Sequence, residues 1–213
     1  VTGAGGLNQS VAVVYSGDCT NVTVANGCTA TATFGGDQNH AGSSDSKSIT
    51  ITQAASTTVV TFEAGPYVYR GTPFTATATV TGAGGLNQSV VVVYSGDCTN
   101  VTVANGCTAT ATFGGDQNHA GSSDSKSITI TQAPSTTVVT FEAGPYTYRG
   151  TPFTATAVVT GVGGLNQSVV VVYSGDCTNV TVTNGCTATA TFAGDTNHLG
   201  SSDSKSITIT KAS

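Results

Sequence analysis

Three groups of residues in this chain could carry chemistry. Six cysteines fall in pairs nine positions apart: Cys19 with Cys28, Cys98 with Cys107, and Cys177 with Cys186. A polar stretch gathers Asp116, Asn118, His119 and Asp124, and recurs later with Asp195, Asn197 and His198. Single lysines, Lys47, Lys126 and Lys205, each stand between two serines. Thiolate zinc sites draw on four ligands at closer spacing, and a redox pair reads C-x-x-C. Two cysteines bracketing one loop read instead as a disulfide closed in an oxidising compartment, with a link between chains as the alternative. On the loop-entropy account such a closure adds about 2–3 kcal/mol.

The Asp, Asn and His stretch offers oxygen ligands for calcium, but its spacing is not that of an EF-hand, and Asp and Asn are ordinary turn formers. Ser122, His119 and Asp116 together suggest a hydrolase triad, yet the strand-to-helix elbow that would present the nucleophile is missing. A Lys–Asn cross-link needs its partners in an apolar core, whereas a lysine flanked by serines reads as a solvated edge residue. The expectation is a chain with no catalytic residues, no metal and no cofactor. Six N-x-S/T sequons begin at Asn8, Asn21, Asn87, Asn100, Asn166 and Asn179 and are candidate glycosylation sites. The TATAT rows resemble the threonine ladders of some ice-binding surfaces; strand propensity and solubility without charge account for them more simply.

These residues sit in a repeat. Cys19, Cys98 and Cys177 are equivalent, at a constant spacing of 79 residues. Residues 1–53 match residues 80–132 except for Ala12 against Val91. The third copy drifts, at Val162, Thr183, Ala193, Thr196 and Leu199 among others. The expected domains are a partial repeat over 1–53 without its first strands, and complete repeats over 54–132 and 133–213. Val1 falls in mid-repeat, so the chain reads as a window on something longer. Of the 213 residues 8% are charged, the formal net charge is −5, and Met and Trp are absent. Such a chain has no basic footprint for nucleic acid and no apolar run that spans a bilayer.

Within one copy the pattern is that of short strands. Residues 135–141 (STTVVTF) read as a strand. A turn-rich corner follows over 144–152 (GPYTYRGTP). Residues 153–159 alternate, with Phe153, Ala155, Ala157 and Val159 on one face and Thr154 and Thr156 on the other. The run 168–173 (SVVVVY) reads as a central strand covered on both faces. Residues 176–185 read as a loop, possessing at most a short strand at 180–182. Residues 187–192 alternate again, 194–204 read as a long polar loop, and 206–210 (SITIT) turn Ile207 and Ile209 inward. This predicts an all-β fold of tandem antiparallel β-sandwich modules.

The order STTVVTF, YTYRGTPFTATAVVTG, VVVVYSG, TATATFAGDTNH, SSDSKSITIT resembles bacterial immunoglobulin-like repeats, over the full 79-residue unit. The best marker is the stretch Phe192-Ala193-Gly194-Asp195-x-Asn197. The chain departs from the family pattern at Gly185-Cys186-Thr187, where Gly-Thr-Tyr is usual. The resemblance implies immunoglobulin-like modules in tandem in large surface proteins, stalks and adhesins, with no shared catalytic residues.

The function expected is a non-enzymatic structural repeat of an extracellular or cell-surface stalk or filament. The alternative is an adhesin module that binds glycan or a host protein through polar loops. Expected partners are the adjacent repeats, and other copies through strand addition. The short linkers at 53–56 and 132–135, the second stiffened by Pro134, predict a defined contact between successive modules. It should join Tyr67, Tyr69 and Arg70 of one module to Asp195, Asn197 and His198 of the next. Tyr146, Tyr148 and Arg149 are the later counterparts of the first set, and Asp116, Asn118 and His119 the earlier counterparts of the second.

Overall fold

The computed structural model describes residues 1–213. The first module contributes β1 (Val13–Gly17), β2 (Cys28–Phe34) and β3 (Ser43–Ile49). The second contributes β4 (Ser56–Phe62), β5 (Ala76–Gly82), β6 (Asn87–Ser89), β7 (Val92–Gly96), β8 (Cys107–Phe113) and β9 (Ser122–Ile128). The third repeats these six as β10 (Ser135–Phe141), β11 (Ala155–Gly161), β12 (Asn166–Ser168), β13 (Val171–Gly175), β14 (Cys186–Phe192) and β15 (Ser201–Ile207). The strands form five three-stranded sheets, ordered β1-β2-β3, β4-β5-β6, β7-β8-β9, β10-β11-β12 and β13-β14-β15. A complete module is thus two three-stranded sheets, the arrangement of a small immunoglobulin-like sandwich. The chain also divides into two compact units. One holds residues 1–59, 78–91 and 111–124, the other 60–77, 92–110 and 125–213. Residues of the second module fall in both.

The third module lies entirely in the second unit and shows how the core is built. The inward residues of β10 and β11 are those of the period-2 pattern: Val139, Phe141, Ala157 and Val159 are buried, with Thr140, Thr156 and Thr160 outside. Val139, Phe141 and Ala157 meet Cys186, Ala188, Ala190 and Ile207 from the opposite sheet, and Phe153 and Ile209, just past β15, complete the cluster. Polar bonds tie the layers as well. The Val139 amide donates to Asp203 Oδ2 at 2.8 Å, and the Thr137 hydroxyl lies 2.8 Å from that of Ser201. No buried side-chain nitrogen or oxygen in the chain is without a partner.

Two strand readings are corrected. The run 168–173 is not one central strand. Ser168 ends β12, Val169 donates its amide to the Ala157 carbonyl, and β13 begins at Val171 as an edge strand of the other sheet. A chain that changes sheets keeps one face of its valines inward and leaves the other outside, so Val172 is 65% exposed. The apolar run reports strand propensity, not burial on two faces. The second correction concerns 194–204, where β15 already starts at Ser201. The strand escapes a hydrophobic reading because its outer face is held by hydroxyls: Thr187 pairs with Ser206 at 2.8 Å and Thr189 with Ser204 at 3.0 Å. Residues 180–182 form no strand.

Replacing the fully buried Ile209 by Ala should lower the stability of the third module by about 2–5 kcal/mol. Val172→Ala, at the exposed edge, should stay within about 0.5 kcal/mol. Urea denaturation compares the two; equal losses would contradict the edge placement of β13.

Candidate functional site

The chemistry-bearing residues gather where one copy of the repeat meets the next, and the geometry starts from the cysteine loop. β13 and β14 form a hairpin in which Gly175 lies opposite Cys186. The hairpin loop is strapped by the bond between Cys177 and Cys186, and the same bond joins Cys98 to Cys107 and Cys19 to Cys28. Gly175 has φ +78°, and a Cβ there would collide with the Gly185 carbonyl oxygen, so the turn requires glycine.

Inside each strapped loop an aspartate organises the next residues. Asp97 Oδ1 accepts the amides of Thr99 and Asn100, both at 2.8 Å, and its Oδ2 accepts Asn100 Nδ2 at 2.9 Å. The Asn100 amide, then its side chain and the Thr99 amide, hold the Asp97 carboxyl below the ordinary carboxylate range. Asn100 is thereby fixed with its side-chain oxygen free to accept.

The partner surface is the polar loop of the following repeat. Asn197 Oδ1 accepts the Val101 amide at 3.0 Å, and Asn197 Nδ2 donates to Asn100 Oδ1 at 3.0 Å. The linker adds main-chain bonds: Ala133 N donates to the Asn197 carbonyl at 2.9 Å, and Leu199 N to the Ala133 carbonyl at 2.8 Å. Gln132 Nε2 donates to the Asp195 carbonyl at 2.7 Å. The Tyr69 ring packs edge-on against His198, with centroids 5.2 Å apart and planes at 84°. Its amide donates to the Thr131 carbonyl at 2.8 Å.

The earlier junction, within the first unit, repeats these bonds. Asn118 Oδ1 accepts the Val22 amide at 2.9 Å, and its Nδ2 donates to Asn21 Oδ1 at 2.9 Å. Ala54 N donates to the Asn118 carbonyl at 2.8 Å, and Gln53 Nε2 to the Asp116 carbonyl at 2.6 Å.

The structure therefore brings Tyr69, Asn197 and His198 together but leaves Tyr67 and Arg70 in their own module. Tyr67 and Tyr69 both pack against the core of their own module, and Tyr69 alone of the three also reaches the next one. Tyr67 packs edge-on to Phe74 at 5.3 Å and donates its hydroxyl to the Glu63 carbonyl at 2.8 Å. Arg70 pairs with Glu63 at 2.7 Å and lies 4.0 Å over the Phe74 ring. A carboxylate seven residues away, itself fixed by the Thr75 amide, wins over Asp195 in the next module. Tyr146 and Arg149 repeat this local arrangement with Glu142 and Phe153. Tyr148, the counterpart of Tyr69, is 43% exposed. Asp195 and Asp116 serve the junction through their carbonyls, while their carboxylates bind the adjacent histidine.

Asn100, Val101, Gln132 and Ala133 belong to the junction; from sequence Asn100 was marked only as a sequon, Gln132 and Ala133 only as linker, and Val101 not at all. The one available signal was that both linkers carry Gln-Ala. Of the sequons, Asn100 and Asn21 have both side-chain atoms engaged. Asn179 binds Asp176 and is exposed, as are Asn8, Asn87 and Asn166.

Each loop histidine is clamped between two acceptors. His119 Nδ1 lies 2.8 Å from Asp116 Oδ1, and Nε2 lies 2.8 Å from the Ala83 carbonyl. A neutral imidazole can donate to only one of them. The Ala83 carbonyl, and then Asp116, therefore raise the His119 pKa. No family model matches the chain, and no curated protein or solved structure matches it.

Two outcomes follow from this geometry. Asn197→Ala leaves the Val101 amide without its acceptor and should cost about 1–3 kcal/mol. Amide exchange at Val101 should accelerate, and unchanged protection there would refute the assignment. For His119, a raised folded pKa places its contribution to stability below the unfolded value of 6.5, and the contribution is lost as pH rises through the folded value. An NMR titration of the imidazole should give a midpoint above 6.5; one at or below it would remove the clamp.

Proposed function

We propose that the chain is a non-catalytic structural repeat of an extracellular or cell-surface protein, its modules serving as spacers in a stalk or surface filament. The observation that carries this reading is the repetition of the junction. Asn118 and Asn197 make the same pair of side-chain bonds to the preceding module, and the linkers Gln53-Ala54 and Gln132-Ala133 make the same main-chain bonds. A spacer needs one join used many times, and an adhesin loop needs a surface unlike its neighbours. Here even the exposed loops recur nearly verbatim.

Further support comes from the chemistry of the polar groups. Both imidazole nitrogens of His119 face acceptors, the Asp116 carboxylate and the Ala83 carbonyl, which favours the protonated ring and disfavours a general base. A disulfide in every module suits an oxidising compartment. The bacterial immunoglobulin-like reading fits the Gly194-Asp195-x-Asn197 stretch. Gly194 turns with φ +93°, Asp195 caps the amides of Asn197 and His198, and Asn197 is delivered to the junction.

Immunogold electron microscopy of the source cells or particles tests the proposal. Label along surface projections at a regular axial interval is the expected result. Label confined to the interior would overturn it.

A further inference from the structure

Two glycines approach each other across the later junction, and both lie in the second unit. Gly71 belongs to the corner that carries Tyr69, and Gly163 to the turn Val162-Gly163-Gly164 of the following module. A Cβ on Gly71 would lie 2.6 Å from Gly163 Cα, a backbone atom that cannot swing aside. A Cβ on Gly163 would fall 2.5 Å from the Tyr69 hydroxyl oxygen and 2.7 Å from the ring carbon Cε1. The two main chains therefore pass at a distance that only glycine permits, with the tyrosine laid over the turn.

Each side of this contact is held by its own module. The Tyr69 amide donates to the Thr131 carbonyl, and the Thr131 amide donates to the Tyr67 carbonyl at 2.9 Å. The linker residues Gln132 and Ala133 follow directly, so the tyrosine is tied to the point where the chain leaves its module. In the next module His198 supports the glycine turn: its Nε2 lies 2.9 Å from the Val162 carbonyl oxygen, and its ring receives Tyr69 edge-on. Size is restricted at Gly163 but not beside it. The preceding position is Ala83 in the second copy and Val162 in the third, where the side chain is 47% exposed. The contact also completes the join. The Ala133 main-chain bonds and the Asn100–Asn197 pair hold it at two places, which alone would permit rocking about the line between them. Tyr69 on Gly163 is the third.

We infer that Tyr69 and Gly71 of one module and Gly163 of the next form a steric lock that selects the partner. The surface accepts a following repeat in this orientation only where the position of Gly163 bears no side chain. Selection comes from the clash that any other residue would make, while the tyrosine supplies the attractive contact. A repeat that drifts at the position of Val162 remains a partner, and one that drifts at Gly163 does not. The lock rests on the spacer reading, since its partner is the adjacent repeat, and adds to that reading a rule for which repeats can follow which.

Four variants of the full chain test it, each adding one methyl group to a glycine of positive φ. Gly71→Ala is matched by Gly150→Ala, at φ +78° and +77°, and Gly163→Ala by Gly84→Ala, at φ +66° and +65°. Backbone strain is thus equal within each pair. Gly150 and Gly84 have open space where the Cβ would go. The readout is amide exchange at Val101, whose acceptor Asn197 lies across the junction. Gly71→Ala and Gly163→Ala should speed it at least about tenfold, the scale of a lost hydrogen bond. Gly150→Ala should leave it unchanged, and Gly84→Ala should leave the equivalent exchange at Val22 unchanged. In a Tyr69→Ala background Gly163→Ala should add nothing, because the ring it meets is gone, whereas damage confined to the fold of the third module would persist. Equal exchange within the pairs, or effects of Gly163→Ala and Tyr69→Ala that simply add, overturns the lock. Either result leaves the surface placement to the immunogold label, which decides it separately.

Discussion

In the third module the space between the sheets is filled by Val139, Phe141, Phe153, Ala157, Ala188, Ala190, Ile207 and Ile209 with Cys186, and no fully enclosed side chain there is larger than Phe. Small side chains let two three-stranded sheets approach closely, but they remove little apolar area from water, and small domains have little to spare. This thin core is the constraint from which the other features follow. The disulfide at the hairpin mouth restricts the unfolded chain where packing cannot supply enough. Hydroxyl pairs such as Thr137 with Ser201 take up layer contacts that larger apolar groups would otherwise make. The Glu142–Arg149 pair, lying over Phe153, seals the end of the sandwich with a side chain that is apolar along its stem.

The same economy governs the junction. It is made by amides, main-chain groups and one tyrosine, with no ion pair crossing from module to module. Neutral hydrogen bonds between rigid loops are little affected by salt, unlike exposed charge pairs. Their geometry is set in advance, because Asp97 fixes Asn100 on one side and Asp195 fixes Asn197 on the other. Each asparagine is therefore ordered by its own module before it meets its partner, which lowers the entropic cost of the join.

How much of this was readable depends on which signal each residue obeys. The strands β10, β11 and β14 follow the period-2 rule, because one face of each meets the core, and the fold class came from them. β15 does not, since Ser201, Asp203 and Ser204 are held by hydrogen bonds, and hydropathy is blind to those. The run at 168–173 misled for the opposite reason: its valines are apolar where the chain merely crosses between sheets. At the junction, the pairing of Tyr69 with His198 could be approached from loop order. The choice of Glu63 over Asp195 by Arg70 could not. It depends on the corner folding back on β4, a three-dimensional proximity that seven residues of separation do not announce.

Near-identical neighbours in one chain carry a hazard, because a strand or a cysteine of one copy fits the next as well as its own. The pairing of cysteines shows how the repeat limits it. Cys19 and Cys28 close a loop of nine residues at the mouth of a two-stranded hairpin. Pairing Cys28 with Cys98 would close a loop roughly eightfold longer, and at about 0.6 kcal/mol per doubling the local bond is favoured by about 2 kcal/mol from closure alone. The aspartate turn beside it is equally local, since Asp97 reaches only to Thr99 and Asn100. Each module thus has a covalent and polar nucleus formed within a stretch of some ten residues, before any long-range strand pairing has to choose between copies. The junction asparagine is part of that nucleus. A copy that has closed its own hairpin presents Asn100 correctly, and a copy that has borrowed a neighbour's strand does so only if the hairpin is intact. Local closure and the module join are in this way one device, and both rest on the loop that the cysteines hold.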